Sequence, residues 1–92
     1  MTTLRRRLSY EGRVQGVGFR MTAYRLSTAF PVAGYVRNLD DGRVELVAEG
    51  EPQALASFLQ AIQREFGEMI TAVEEVEENA TGESFVGFMI RY

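Results

Sequence analysis

Cysteine, histidine and lysine are all missing from this 92-residue chain. Without cysteine there is no disulfide and no thiolate metal site. Without histidine there is no Ser–His or Cys–His pair and no imidazole ligand for zinc. Without lysine there is no Schiff base. An enzyme built from what remains must run a reaction that needs little help with proton transfer. No stretch approaches the roughly 18 apolar residues of a membrane span. The basic start, Met1-Thr2-Thr3-Leu4-Arg5-Arg6-Arg7, is not followed by the apolar run of a signal peptide. A cytoplasmic protein is expected, with no membrane partner. All ten basic residues are arginine, which points to a GC-rich bacterial genome.

What is present suffices for one packed domain over residues 1–92. Hydrophobic residues make up 46%, including six Phe and four Tyr. The formal net charge is −3 and the pI is near 4.9, which argues against general nucleic-acid binding. The charge is unevenly spread. Glu74, Glu75, Glu77 and Glu78 crowd one short segment. Arg5, Arg6, Arg7, Arg13, Arg20, Arg25, Arg37 and Arg43 lie in the first half of the chain. A small anion would be drawn to that half.

Periodicity divides the chain into elements. Leu8, Tyr10, Gly12 and Val14 alternate with Arg7, Ser9, Glu11 and Arg13, the pattern of a half-buried strand. A glycine loop follows. Phe19, Ala23, Leu26 and Phe30 then form a helical stripe that Pro31 ends. Residues 34–39 read as a second strand, Asp41-Gly42 as a hairpin turn, and Val44, Leu46 and Ala48 as the inner face of a third strand. Pro52 opens a second helix with the stripe Leu55, Phe58, Leu59, Ile62 and Phe66, and Gly67 caps it. A fourth strand is expected over residues 70–77, a loop over 79–83, and a last strand over 85–92 with Val86, Phe88, Ile90 and Tyr92 on one side. The order β-α-β-β-α-β plus a terminal strand predicts an α+β, ferredoxin-like sandwich, with two helices on one face of a mainly antiparallel sheet.

The stretch that stands out is Gly12-Arg13-Val14-Gln15-Gly16-Val17-Gly18-Phe19-Arg20. Its glycines permit positive φ and close approach of a ligand to the backbone. A strand, a glycine loop and a helix start together aim successive N–H groups at one point, which makes an anion nest. Arg20 at the start of that helix adds positive charge where the macrodipole already supplies some. That is unfavourable unless an anion sits between them. Arg20 then offers a forked, charge-assisted contact. A tight turn with Arg20 on the surface accounts for the same residues. The common phosphate motifs do not match: there is no lysine for a P-loop, and Met21 stands where G-x-G-x-x-G needs its third glycine.

Asn38, near the end of the second strand, is a second candidate. That strand is expected to run beside the first, which brings its carboxamide near the loop, where it can orient a water. Asparagine is also common at strand ends for backbone reasons alone. The remaining features read as structural. The Glu74–Glu78 run is a solvated face or edge protection. Arg5-Arg6-Arg7 is a frayed or edge segment. Tyr10, Tyr24, Tyr35 and Tyr92 are amphipathic core residues.

The loop from Gly12 to Arg20, followed by Gly34-Tyr35-Val36-Arg37-Asn38 and Asp41-Gly42-Arg43-Val44-Glu45, resembles the acylphosphatase family. The likeness spans about residues 8–61 and returns at Gly87-Phe88-Met89-Ile90-Arg91-Tyr92. The resemblance implies that Gln15, Gly16, Val17, Gly18, Phe19 and Arg20 cradle a phosphoryl group through backbone N–H groups. It further implies that Arg20 binds the phosphoryl oxygens and Asn38 positions the attacking water. The implied reaction is metal-free and cofactor-free hydrolysis of an acyl phosphate to carboxylate and inorganic phosphate, the latter acting as product or competitor.

That chemistry suits these residue types. The leaving carboxylate has a conjugate-acid pKa of roughly 4 and departs without a general acid. The transition state is loose, with charge on the phosphoryl oxygens, so preorganised donors and an aligned water matter most. Two other readings stand beside it. A non-catalytic module holding phosphate or another small anion would use the same loop. An RNA-recognition domain shares the element order, but it would show aromatics on the open sheet face, and residues 43–48 offer none. A monomer is expected, because no apolar stripe is left over.

Overall fold

The computed structural model describes residues 3–79 and 84–92. In chain order the elements are β1 (Leu4–Gly12), α1 (Phe19–Ser27), β2 (Ala33–Asn38), β3 (Val44–Gly50), α2 (Pro52–Phe66), β4 (Ile70–Glu78) and β5 (Phe88–Ile90), with a 3₁₀ turn at Gly67–Met69. The five strands lie in the order β4-β1-β3-β2-β5. All neighbours are antiparallel except β2 and β5. Two helices on such a sheet form the ferredoxin-like α+β sandwich that the element order predicts.

One face of the sheet carries the core. Leu8 and Tyr10 from β1, Val36 from β2, and Val44, Leu46 and Ala48 from β3 meet Phe19 and Ala23 of α1 and Leu55, Phe58, Ile62 and Phe66 of α2. These are the residues that period-two and period-3.6 patterning place inward. Each large apolar side chain so buried stabilises the fold by about 1.5–3 kcal/mol. Phe19 is the keystone for the site. It is the first residue of α1, is fully buried, and stacks on Phe66 with ring centroids 4.3 Å apart. Helix α1 ends at Ser27, ahead of Pro31. The Ser27 and Thr28 hydroxyls donate to the carbonyls of Tyr24 and Arg25, and the next amides reach back only three residues.

Several expectations need correction. Arg5-Arg6-Arg7 is neither frayed nor at an edge. It lies in β1, an interior strand, and the Arg5 side chain is buried. Carboxylates from both neighbouring strands make this tolerable. Arg5 donates to Glu49 at 2.8 Å. Arg6 pairs with Glu75, and Arg7 pairs with Glu45 at 2.8 Å and with Glu78 at 3.2 Å. The glutamate run does sit on an edge strand, β4. The last strand is only three residues long, because β5 pairs with Gly34–Val36 alone, and Val86 and Tyr92 are exposed. Tyr10 and Tyr35 are buried, but Tyr24 and Tyr92 are not core residues. Apart from Asn79, the loop expected over 79–83 lies outside the described residues.

The open sheet face presents Arg5, Arg7, Ser9 and Glu11 from β1 and Glu45, Val47 and Glu49 from β3, alternating with the core-facing residues. On that face neither of these two central strands presents an aromatic: Tyr10 of β1 faces the core, and the nearest ring is that of Tyr35 on β2, beside Arg7 and Glu45. No helix among the described residues is long and apolar enough to cross a membrane.

Candidate active site

The site begins where β1 leaves the sheet. The register against β4 slips between Glu11 and Gly12, and Gly12 adopts φ +125°, a backbone that only glycine takes readily. A Cβ there would lie 2.1 Å from the Met69 carbonyl oxygen. The Arg13 amide donates to that same oxygen at 2.8 Å. Val14 is fully buried and pins the start of the loop. Residues 15–18 then bend without regular structure, with Gly16 at φ +75° and Gly18 at φ +81°.

Gly18 is the N-cap of α1, and its carbonyl accepts the first helical bond, from Thr22 at 2.9 Å. The amides of residues 16–20 donate to no described backbone carbonyl. No acidic residue occupies the first turn of the helix. The helix start thus keeps its unpaired donors and its partial positive charge.

Arg20, the second residue of α1, has no carboxylate partner among the described residues. Its contact is with the Tyr92 ring. Asn38 ends β2, and its carboxamide bonds to no described group. Both line a pocket of about 170 Å³, together with Gly16, Gly18 and Phe19 of the loop and with Val14, Met21, Ile90 and Tyr92. Of the sequence-predicted residues, the side chains of Gln15 and Val17 do not line it.

Gln15 turns away. Its amide nitrogen donates to the carbonyls of Leu39 at 2.7 Å and Arg43 at 2.9 Å. The strand carrying Asn38 does not run beside β1 as expected. β3 lies between them, and Val44 faces both Tyr10 of β1 and Asn38 of β2. The loop spans that gap by folding over the end of β3.

The arginine-rich concavity on the open sheet face is larger, about 440 Å³, and contains Arg5 and Arg7. Those guanidiniums are matched by Glu49, Glu45 and Glu78. The pocket at Arg20 therefore differs from it in holding an unmatched cation. Sequence reasoning missed Met21, Ile90 and Tyr92 as walls of this pocket. The terminal alternation Phe88, Ile90, Tyr92 carried a signal, but it reads equally well as a continued strand.

A family model for acylphosphatase matches residues 6–90. The chain belongs to the acylphosphatase family. An acylphosphatase from Bacillus licheniformis is 42% identical over 91 residues, covering 97% of this chain and 99% of the relative. One from Thermotoga maritima is 40% identical over 86 residues, covering 94% of each. Among solved structures, the crystal structure of acylphosphatase from Bacillus subtilis superimposes with a TM-score of 0.86 at 39% identity, over 97% of this chain and 99% of that one. The family match runs through both helices and the glycine loop and includes Arg20 and Asn38, while Tyr92 lies beyond it.

Proposed function

We propose that this chain hydrolyses acyl phosphates, with the phosphoryl group held by the loop Gln15–Arg20. Backbone N–H groups and the Arg20 guanidinium take the phosphoryl oxygens, and the Asn38 carboxamide holds the attacking water. The single observation that carries this reading is the shared pocket. Among the described residues, an arginine without a carboxylate, a carboxamide without a partner, and Gly16, Gly18 and Phe19, whose amides donate to no backbone carbonyl, line one space of about 170 Å³.

The chemistry follows from those groups. Water attacks phosphorus opposite the acyl oxygen. The new P–O bond forms as the P–O bond to the acyl group breaks. The carboxylate departs as an anion, and the water's proton passes to a phosphoryl or carboxylate oxygen of the substrate. No histidine or lysine is needed, and no step uses a metal. The protein's contribution is a set of fixed donors where charge develops, with no reorganisation required at the moment of reaction.

The site is complete within one chain, which supports action as a monomer. The acidic pI fits an enzyme on small-molecule substrates rather than nucleic acid.

The test is hydrolysis of acetyl phosphate by the wild type, Arg20→Ala and Asn38→Ala, with inorganic phosphate as competitor. Wild-type turnover, inhibited by phosphate and lost in both variants, supports the reading. Phosphate binding without turnover would leave only an anion-binding module.

A further inference from the structure

We propose that Gln15 is a positioning residue that holds Asn38 in register with the phosphate loop, and not a phosphate ligand through its side chain. The inference rests on the acyl phosphate reading above. Its ground is the pair of hydrogen bonds from one amide group. The Gln15 Nε2 donates to Leu39 O at 2.7 Å and to Arg43 O at 2.9 Å. Both acceptors are carbonyls, so the orientation of the amide is fixed by its partners. Leu39 and Arg43 close the β2–β3 hairpin, where the Leu39 amide donates to Arg43 O at 2.8 Å and the Gly42 amide to Leu39 O at 3.2 Å. Asn38 is the residue immediately before Leu39.

The topology makes this tether necessary. The loop follows β1, Asn38 ends β2, and β3 separates the two strands. The backbone amides of residues 15–20 donate to no described backbone carbonyl, and that of Arg13 goes to Met69, so backbone pairing does not join the loop to the hairpin. Gln15 does, with both of its amide hydrogens. A loop free to shift against Asn38 would still collect the phosphoryl group through its own amides and Arg20, but the water would be misaligned. Misplacement by an ångström at such a site costs turnover far more than binding.

The experiment is a double-mutant cycle on acetyl phosphate hydrolysis. Gln15→Met keeps the length of the side chain and removes both donations. Leu39 O and Arg43 O each retain a backbone donor, so the hairpin keeps its closing bonds. The expected result is a fall in kcat of roughly ten- to a hundredfold, with inhibition by inorganic phosphate changed by less than about threefold. In an Asn38→Ala background the same substitution should lower kcat by less than about threefold, because its target is already gone. Gln15→Glu, which sets a carboxylate against two carbonyls, should follow the same pattern and serves if Gln15→Met does not fold. Equal losses in both backgrounds, phosphate inhibition weakening in step with kcat, or undiminished turnover would each overturn the proposal. A wild type inert toward acetyl phosphate would instead remove the assigned function, and this inference with it.

Discussion

The Arg20 guanidinium carbon lies 4.8 Å from the centroid of the Tyr92 ring. A cation on a ring face is attracted by its quadrupole, by about 0.5–1 kcal/mol at an exposed site. Tyr92 is 94% exposed, so the low end of that range applies. The ring also gives the guanidinium a resting position without neutralising it, which a carboxylate would do. Tyr92→Ala should raise the KM for an acyl phosphate by roughly two- to fivefold, and Tyr92→Phe should leave it near the wild-type value. Steady-state kinetics on the two variants checks this.

Arg20 itself carries more. Arg20→Ala should lower kcat by about 10²–10³, the scale for removing one electrostatic donor at a transition state. Thermal unfolding should shift by less than about 0.5 kcal/mol, because no ion pair is broken among the described residues. Arg20→Lys should recover only part of the loss, since an ammonium lacks the guanidinium fork. Asn38→Ala should reduce kcat while leaving phosphate inhibition close to wild type, as befits a group that touches the water. Turnover and inhibition measured together separate the two roles.

Glu45 sets an acid limit on stability. Burial opposes its charge, but hydrogen bonds from Arg37 and Arg7 at 2.8 Å and from Tyr35 at 3.0 Å outweigh that. They hold the carboxyl below its ordinary value of 4.5. A folded-state value below the unfolded one means that the unfolded chain takes up the proton first. The contribution is therefore present in full above the unfolded value and is lost as pH falls through the folded one. Glu45→Gln should have a lower Tm than the wild type at neutral pH and should lose less Tm on acidification to about pH 3. Calorimetry across that range tests both signs.

Two glycines should respond differently to the same substitution. At Gly34, φ is +145° and a Cβ would stand 1.9 Å from the Val47 carbonyl oxygen. Gly34→Ala must force β2 away from β3, and a loss above about 3 kcal/mol is expected. At Gly16, φ is +75° but nothing lies within 4 Å of the added carbon. Gly16→Ala should cost only the conformational term, about 1–2 kcal/mol, and should act mainly on turnover by redirecting the loop amides. Denaturant unfolding and activity on the same samples distinguish the two cases.

The elements that could be read from the chain are those set by local pattern. Leu8 and Tyr10 alternate, Leu55 to Phe66 repeats at helical spacing, and Asp41-Gly42 makes its turn by its own conformational preference. The glycine loop and Arg20 were legible for the same reason, being contiguous. What escaped is set by which strands meet. Three arginines in a row look like a frayed end until β4 brings its glutamates alongside. Asn38 reaches the loop across β3 rather than from an adjacent strand, and strand order is not written in any single segment. The Gln15 tether and the Tyr92 ring depend on where two distant loops cross, so neither residue type nor spacing announces them.

The acidic strand β4 has a consequence beyond its pairing with β1. Its outer side is a free edge, where the backbone groups of one molecule invite those of another. Two copies approaching there would bring glutamate against glutamate, and that repulsion discourages intermolecular sheet growth while the carboxylates stay ionised. Acid removes the guard just as it weakens the Glu45 cluster, so low pH would release both the fold and the safeguard against fibrils.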